Sequence, residues 1–416
     1  MVEGSDREQA AGQGLLCPQE RLGFRGLLCL IAASNALIPF SMDMYTPAVP
    51  TLPGYFHTTA PVVNLTILGF FLSFAIGILV FGPVSDARGR RPVLLGGFCA
   101  YVLGGALCAL SPTIWVLIAS RVVQALGAGA IVSVTTALVK DSFEPESRAK
   151  ILAVLQMLQV VGPVAAPLLG GAILLVGTWH TTFWALAAIG AVCLALATRL
   201  QETVPPGERV QGPPLASLSR LAVVARHKGF DAFLGVMSLF SLPFMAYIAV
   251  ASYVYVDRFG LTQQQYTYFF AATAAFTVLG PVLYLRFGHL LKPRVMIGAL
   301  VAAAACAGAL VLAEGVRSPF LFCGCFLVFA VCEAVIRPCS INILLSQHER
   351  DTGSASALIN FTANVFGAAG MALIMLPWPG YVEGLGALIL ICMLAALVLL
   401  VLIQRVGALR VAGLTR

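Results

Sequence analysis

Long apolar stretches, separated by short polar segments, run through most of the chain. Six fall at roughly 25–45, 61–82, 92–111, 114–139, 148–176 and 181–199, and six more at roughly 229–256, 266–286, 294–313, 319–345, 354–376 and 382–404. Each is near or above the ~20 residues that an α-helix needs to cross a hydrocarbon core of ~30 Å. The pattern predicts an all-α membrane protein with twelve transmembrane helices.

The longest interruption of the apolar pattern divides the predicted helices six and six. A short echo supports a repeat, because Gly280-Pro281-Val282 follows an apolar run as Gly82-Pro83-Val84 does. Two pseudo-symmetric six-helix bundles are a recognised transporter plan. We therefore expect five segments: a cytoplasmic tail at 1–24, bundles at 25–200 and 229–404, a cytoplasmic linker at 201–228, and a tail at 405–416.

Composition agrees with a membrane protein. The chain is 59% hydrophobic and 10% charged, whereas a soluble domain carries about 25% charged residues. All cysteines except Cys17 lie in apolar runs and none forms a CxxC pair, so we expect them to pack helices and predict no metal site and no cofactor. The N-terminal segment lacks the pattern of a signal peptide.

Basic residues fall in alternate loops. One set of loops carries Arg88, Arg90, Arg91, Lys140, Arg148, Lys150, Arg286, Lys292, Arg294 and Arg350, in addition to the basic residues of the linker and tails. The other set holds only Arg258 and Arg317. Because basic loops stay on the cytoplasmic side, both termini are predicted to be cytoplasmic in a multi-pass protein of the cell inner membrane.

A charged segment, residues 82–92, separates the second and third runs. It reads Gly-Pro-Val-Ser-Asp-Ala-Arg-Gly-Arg-Arg-Pro, and its glycine and proline residues predict a tight turn. We expect the turn to act as a conformational latch on the cytoplasmic side. The candidate latch residues are Gly82, Asp86, Arg88, Gly89, Arg90 and Arg91.

Two ionisable residues of the first half are candidates for proton coupling. Asp43 lies near the end of the first run, and Arg121 lies about two turns into the fourth. Charged groups inside a membrane are costly and usually functional, and loss of hydration favours the neutral form of a carboxyl group. The alternatives are that Asp43 is solvated near the surface and that Arg121 only donates to backbone carbonyls.

In the second half, Glu333 and Arg337 lie four residues apart on one face of the tenth predicted helix. They form either a structural ion pair that helps the helix insert or a site for a charged or zwitterionic substrate. The other candidate substrate-binding residues are polar or aromatic positions in predicted helices: Asn35, Tyr45, Gln124, Gln159, Phe240, Asn342, Asn360 and Asn364.

The fifth predicted helix contains prolines and glycines within residues 162–171. Gly162, Pro167, Gly170 and Gly171 are expected to kink this helix and to let a neighbouring helix approach closely. A plain packing kink is the alternative interpretation.

Three segments resemble signatures of the major facilitator superfamily, and two more resemble a subgroup within it. The segment 82–91 resembles its loop 2–3 signature, Arg121–Gly129 its helix 4 signature, whose arginine is linked with proton coupling, and 162–171 its helix 5 antiporter signature. Asp43–Pro50 and Gly353–Leu358 are similar to the bicyclomycin/chloramphenicol-resistance (Bcr/CflA-like) drug:proton antiporters. The sequence departs from these signatures at Ala87, where a basic residue is usual, and at Ala166, where glycine is usual.

This resemblance implies the superfamily fold and a proton-coupled antiporter that exports small amphipathic compounds or drugs by alternating access. Its expected partners are a small-molecule substrate, protons and the lipid bilayer, with no nucleic acid, and the expected state is a monomer. The alternatives are a dedicated carrier of a small charged or zwitterionic metabolite and a non-transporting membrane receptor or structural protein. The sequence contains no phosphate-binding loop and no nucleophile or metal constellation, so we do not expect an enzyme.

Overall fold

The computed structural model describes residues 19–205, 207, 209, 228–287, 292–345 and 352–405. Most of the predicted linker and most of both tails lie outside these residues. The chain divides into two compact units, with the change between them near residues 217 and 218.

The first unit is built from six long helices. They are α1 Gly23–Asp43, α2 Ala60–Arg88, α3 Arg90–Ala109, α4 Ile114–Ser142, α5 Pro145–Val176 and α6 Trp179–Ala197. A 3₁₀ turn, Thr46–Thr51, and a short helix, Leu52–Tyr55, connect α1 to α2.

The second unit repeats this plan. Its helices are α7 Lys228–Tyr253, α8 Gln263–Thr277 with a continuation at Leu279–Phe287, α9 Pro293–Glu314, α10 Pro319–Leu345, α11 Thr352–Leu373 and α12 Tyr381–Arg405. A π-helical turn, Val254–Arg258, extends α7.

Each of the twelve predicted runs coincides with a helix, and the all-α class is confirmed. Ten helices of the described residues are long and apolar enough to cross a membrane. Two shorter apolar stretches, Val161–Val176 in α5 and Leu358–Leu373 in α11, account for the other two runs. Large apolar side chains such as Val176, Leu285 and Phe320 are exposed, as expected for surfaces that face lipid rather than water.

The predicted turn over residues 82–92 is wrong in its extent. Helix α2 continues through Pro83 to Arg88, and α3 begins at Arg90. Gly89 alone connects the two helices, with a φ of 103° that favours glycine. A proline removes a single backbone hydrogen bond, and a helix in apolar surroundings has no water to replace the bonds that unwinding would break. The helix therefore passes through Pro83.

The eighth predicted helix also differs from expectation, because it is broken at Val278. The second piece begins at Leu279, which places Pro281 in its first turn. Proline is tolerated there, since the first N–H groups of a helix have no partner within the helix.

The same helix pairs pack together in both units. Helix α1 contacts α5, α3 contacts α4, and α3 contacts α6 in the first unit. The second unit pairs α7 with α11, α9 with α10, and α9 with α12. Each pair in the second unit lies six helices after its counterpart in the first. The helix order of the first unit is thus repeated in the second.

The Gly-Pro-Val segment that occurs once in each half of the sequence has a structural counterpart. A methyl group added at Gly82 would lie 2.9 Å from Ser133 Oγ, where α2 meets α4. One added at Gly280 would lie 2.5 Å from the backbone carbon of Ala334, where α8 meets α10. Both glycines therefore occupy the same crossing in their own unit.

A second pair of glycines allows still closer approach of backbones. A side chain at Gly170 of α5 would overlap the carbonyl oxygen of Met44, and one at Gly370 of α11 would overlap the carbonyl oxygen of Leu242. Helices in lipid associate through such small-residue contacts, because lipid tails compete for apolar surface.

Replacing Gly170 with alanine should destabilise the protein. The new methyl group overlaps the Met44 carbonyl, and overpacking of this kind costs about 1–3 kcal/mol. Thermal unfolding of the purified protein in detergent measures the effect. The matched control is Gly298→Ala in α9, where an added methyl group meets nothing within 4 Å and should be neutral or stabilising. Equal unfolding temperatures for both variants would contradict the packing argument.

Candidate functional site

The guanidinium of Arg121 is fully buried in the first unit, on helix α4. Its Nη1 donates hydrogen bonds to the backbone carbonyl of Ser41 over 3.0 Å and to Oε1 of Gln124 over 2.8 Å. Its Nε and Nη2 have no hydrogen-bond partner among the described residues. Arg121 thus ties α4 to the last turn of α1.

Three aromatic rings from three parts of the chain surround the same guanidinium. Its carbon Cζ lies 4.0 Å from the ring centroid of Phe70 in α2, 4.8 Å from that of Tyr45 after α1, and 5.6 Å from that of Phe183 in α6. A cation over an aromatic face is stabilised by about 2 kcal/mol when it is desolvated. Tyr45 is one of the candidates predicted from the sequence, whereas the association of Phe70 and Phe183 with Arg121 was not predicted.

A hydrogen-bond network fixes the backbone that Arg121 contacts. The hydroxyl of Ser41 donates to the carbonyl of Leu37 over 2.6 Å, so the hydroxyl of Tyr101, also 2.6 Å away, is the donor to Ser41. The hydroxyls of Tyr45 and Thr66 lie 2.6 Å apart. The last turn of α1 is therefore anchored to α2 and α3.

Asp43 lies within this anchored segment, two residues after Ser41 and two before Tyr45. It ends α1 and is 6% exposed, so its position is not the solvated one that the sequence left open. Arg121 acts on it electrostatically, yet no ion pair within 4.0 Å joins the two side chains in the described part of the chain. Asp43 and Arg121, the two residues predicted to couple protons, therefore lie in the same buried region without forming a direct ion pair.

Other predicted substrate-binding residues have a mixed outcome. The Asn35 amide donates to the Ile31 carbonyl and to Thr135 Oγ1, which joins α1 to α4. Phe240 is buried and stacks on Phe329, with ring centroids 6.0 Å apart. Asn364 is partly buried in α11. The side chains of Gln159 and Asn342 lie outside the described part of the structure.

The predicted pair Glu333 and Arg337 lies in α10 of the second unit. Arg337 Nη1 is 3.8 Å from Glu333 Oε1, and the two side chains are 53% and 9% exposed respectively. Both residues line a pocket together with Phe240 and Asn360. The structure therefore places four of the predicted residues of the second half in one pocket.

The predicted latch residue Arg90 is the centre of a polar cluster at the start of α3. Its Nε donates to Asp141 Oδ2 over 2.9 Å, its Nη1 donates to Ser85 Oγ over 2.6 Å, and it forms an ion pair with Asp86. These contacts join the ends of α2, α3 and α4. Sequence reasoning missed Asp141, because one acidic residue near a helix end has no pattern that identifies its partner.

Glu202 was also missed and completes this cluster. Its carboxylate oxygens accept hydrogen bonds from the backbone N–H groups of Arg90, over 2.8 Å, and of Arg91, over 3.2 Å. The first N–H groups of a helix lack partners within the helix, and a negative charge at this end is favourable. A side chain at Gly89 would approach Oε2 of Glu202 to 2.5 Å, so the cap requires glycine there.

The remaining latch and helix 5 residues are placed as follows. Arg88 is exposed, and Arg91 Nη2 donates to the Thr198 carbonyl over 3.0 Å. Pro167 and Gly171 are buried in α5, which runs as one helix through its two internal prolines, Pro163 and Pro167. A side chain at Gly162 would overlap the ring of Pro39. Helix α5 therefore packs closely along the half of α1 that leads to Asp43.

The protein-family model of the Major Facilitator Superfamily matches residues 31–372 of this chain. The chain belongs to this superfamily. It is therefore a membrane transporter rather than an enzyme. Its similarity to the uncharacterized MFS-type transporter YdgK of Bacillus subtilis extends over 84% of this chain and 88% of that protein, at 29% identity.

Two further relatives have names that refer to drug resistance. A chloramphenicol resistance protein of Pseudomonas aeruginosa is 30% identical over 61% of this chain and 60% of its own length. The multidrug resistance protein MdtL of Escherichia fergusonii is 31% identical over 46% of this chain and 49% of its own length. These two alignments cover about half to three fifths of each relative.

Solved structures show the same fold. A peptide transporter, POT, in complex with sulfate has a TM-score of 0.74 at 15% identity, over 98% of this chain and 99% of the other. The human organic anion transporter MFSD10 (TETRAN) has a TM-score of 0.61 at 20% identity, over 92% of this chain and 100% of the other.

Replacing Glu202 with alanine should lower the free energy of unfolding by about 1–3 kcal/mol. The backbone N–H groups of Arg90 and Arg91, together with those of Thr203 and Val204, lose a charged acceptor. The control is Glu314→Ala, which removes the surface pair with Arg317 and should cost at most about 1 kcal/mol. Thermal unfolding in detergent distinguishes the two variants. A larger effect at Glu314 would rule out the capping role of Glu202.

Proposed function

We propose that this protein is a proton-coupled antiporter that exports small amphipathic compounds, including drugs, across the bacterial inner membrane by alternating access. The observation that carries the proposal is the burial of Arg121 against the segment that contains Asp43. Ionisable groups inside membrane helices are rare and mark proton or substrate pathways.

The chemistry of the pair suits a proton carrier. An ionised Asp43 carboxylate is attracted to the nearby guanidinium and can accept hydrogen bonds from donors of Arg121 that have no other partner among the described residues. A protonated Asp43 loses that attraction. Uptake and release of one proton therefore changes what holds the end of α1, and this change can be coupled to a movement of the helix.

Two observations support an amphipathic substrate. The names of the relatives from Pseudomonas aeruginosa and Escherichia fergusonii refer to chloramphenicol resistance and to multidrug resistance. In this chain, aromatic rings surround the buried guanidinium of Arg121 in the first unit. Apolar walls with a few polar groups are typical of small-molecule sites.

The other elements have proposed roles in the same cycle. The cluster of Arg90 with Asp86 and Asp141 acts as a latch that stabilises one conformation. The close contact of α5 with α1 excludes water and limits proton leak beside Asp43. Both termini are cytoplasmic, because the basic loops then lie inside, and the protein acts as a monomer with the bilayer, protons and substrate as its partners.

A dedicated carrier of a small charged or zwitterionic metabolite is the second candidate function. The observation that favours it is the placement of Glu333 and Arg337 in one pocket, where a buried carboxylate and a more exposed guanidinium lie beside each other.

Replacing Asp43 with asparagine should reduce chloramphenicol accumulation driven by a pH gradient in proteoliposomes at least tenfold. Asparagine has a similar size but cannot take up and release a proton as a carboxyl group does, so the pH gradient no longer drives transport. Exchange of chloramphenicol between the two sides without a gradient should continue. The control, Asp257→Asn, changes an exposed carboxylate in the second unit and should transport like the wild type.

Unchanged gradient-driven accumulation in Asp43→Asn would disprove the coupling role. Loss of both accumulation and exchange would show instead that Asp43 binds substrate. Both results are read only from protein that inserts into liposomes and unfolds at the wild-type temperature.

A further inference from the structure

A pocket within the second unit contains a buried carboxylate that the proposed proton coupling does not use. Glu333 lines it from α10, Phe240 from α7 and Asn360 from α11. The pocket has a volume of about 30 Å³. This is room for one group of the size of a water molecule or an ammonium.

The ion pair of Glu333 with Arg337 is loose. At 3.8 Å the two atoms are beyond hydrogen-bond distance, whereas the exposed pair of Glu314 and Arg317 is closed to 2.7 Å. No described residue donates a hydrogen bond to the Glu333 carboxylate. A pair that served only to let the helix insert would be expected to close, because a buried charge without hydrogen bonds is costly.

The exposure of the two charges shows how a ligand can enter between them. Glu333 is 9% exposed and lies in the interior of the pocket, and Arg337 is 53% exposed. Arg337 has a long, flexible side chain that is half-exposed, so its guanidinium can move away from Glu333 at small cost. The carboxylate is enclosed and stays in place.

The charges of the pocket select the ligand. An ammonium group beside Glu333 gains a charge-assisted hydrogen bond and can contact the aromatic ring of Phe240. A ligand with only that charge would be repelled by Arg337, which lies one helical turn away, and a ligand with only a carboxylate would be repelled by Glu333. A ligand that carries both groups satisfies both residues.

The small size of the pocket limits which part of a ligand it can hold. Its walls, which include Leu234, Met237 and Ile336 beside Phe240, enclose only the ammonium end. Since the cavity holds little more than the ammonium group, the body of the ligand extends past Arg337, with its carboxylate near the guanidinium.

We propose that Glu333 and Arg337 bind the ammonium and carboxylate groups of an amphipathic, amino-acid-like zwitterion. This proposal rests on the proposed transport function, whose substrate class it narrows. Glu333 binds the ammonium group of the ligand. Arg337 leaves Glu333 and pairs instead with the carboxylate of the ligand.

The test compares three probes with the same phenyl body in calorimetric titrations of the purified full-length protein at neutral pH. They are L-phenylalanine with both charges, phenethylamine with the ammonium alone and 3-phenylpropanoate with the carboxylate alone. We expect L-phenylalanine to bind at least tenfold more tightly than either of the others. Glu333→Gln and Arg337→Gln should each weaken L-phenylalanine binding at least tenfold.

The control variant is Glu314→Gln, which alters an exposed ion pair and should bind L-phenylalanine like the wild type. Equal unfolding temperatures without ligand show that the variants are folded. The proposal is overturned if none of the probes binds the wild type, or if phenethylamine binds as tightly as L-phenylalanine and is insensitive to Arg337→Gln, which would indicate a site for simple cations.

The Asp43→Asn variant separates this proposal from the proposed function. Gradient-driven transport that depends on Asp43, together with binding that is independent of Glu333, would reject the zwitterion site alone. Binding that depends on Glu333, together with transport that is independent of Asp43, would reject proton coupling alone.

Discussion

Burial of the Arg121 guanidinium is the interaction on which the first unit depends. A cation without water must find hydrogen-bond acceptors and polarisable neighbours, or the helix that carries it would not be stable in this position. The acceptors come from Ser41 at the end of α1 and from Gln124 one turn along α4. The aromatic faces come from Tyr45, Phe70 and Phe183. One charged group therefore determines how α1, α2, α4 and α6 meet.

Close approach of α5 holds the same end of α1 from another direction. Gly162 and Gly170 allow α5 to contact Pro39 and the Met44 carbonyl, on either side of Asp43 in the sequence. Hydrophobic burial gives little preference between helix and lipid in a membrane, so such contacts depend on shape and on small residues. Since Gly370 meets Leu242 of α7 in the second unit, this contact belongs to the repeated architecture, whereas the pair of Asp43 and Arg121 belongs to the first unit.

The apolar runs predicted all twelve helices, because the thickness of the bilayer sets the length of a membrane span and that length can be counted along the sequence. The charge of Arg121 in an apolar run likewise identified it as a candidate. Its aromatic partners were not predictable, since Phe70 and Phe183 are far apart in the chain and many phenylalanines face lipid. Glu202 was missed because it reaches back to α3 across more than a hundred residues. The predicted turn at residues 82–92 is longer than the observed one. The prediction treated Pro83 as a helix breaker, as proline is in water.

The buried carboxylates of Asp43 and Glu333 differ in their counter-charges, and this difference separates their proposed roles. Beside Asp43, the guanidinium of Arg121 is fully buried and held by two hydrogen bonds and three rings. In the proposed cycle it stays in place while the carboxyl group gains or loses a proton. Beside Glu333, the guanidinium of Arg337 is half-exposed and loosely paired, so the cation itself can leave. A fixed cation favours exchange of a small mobile charge such as a proton. A movable cation favours exchange for a larger ligand that brings its own ammonium group.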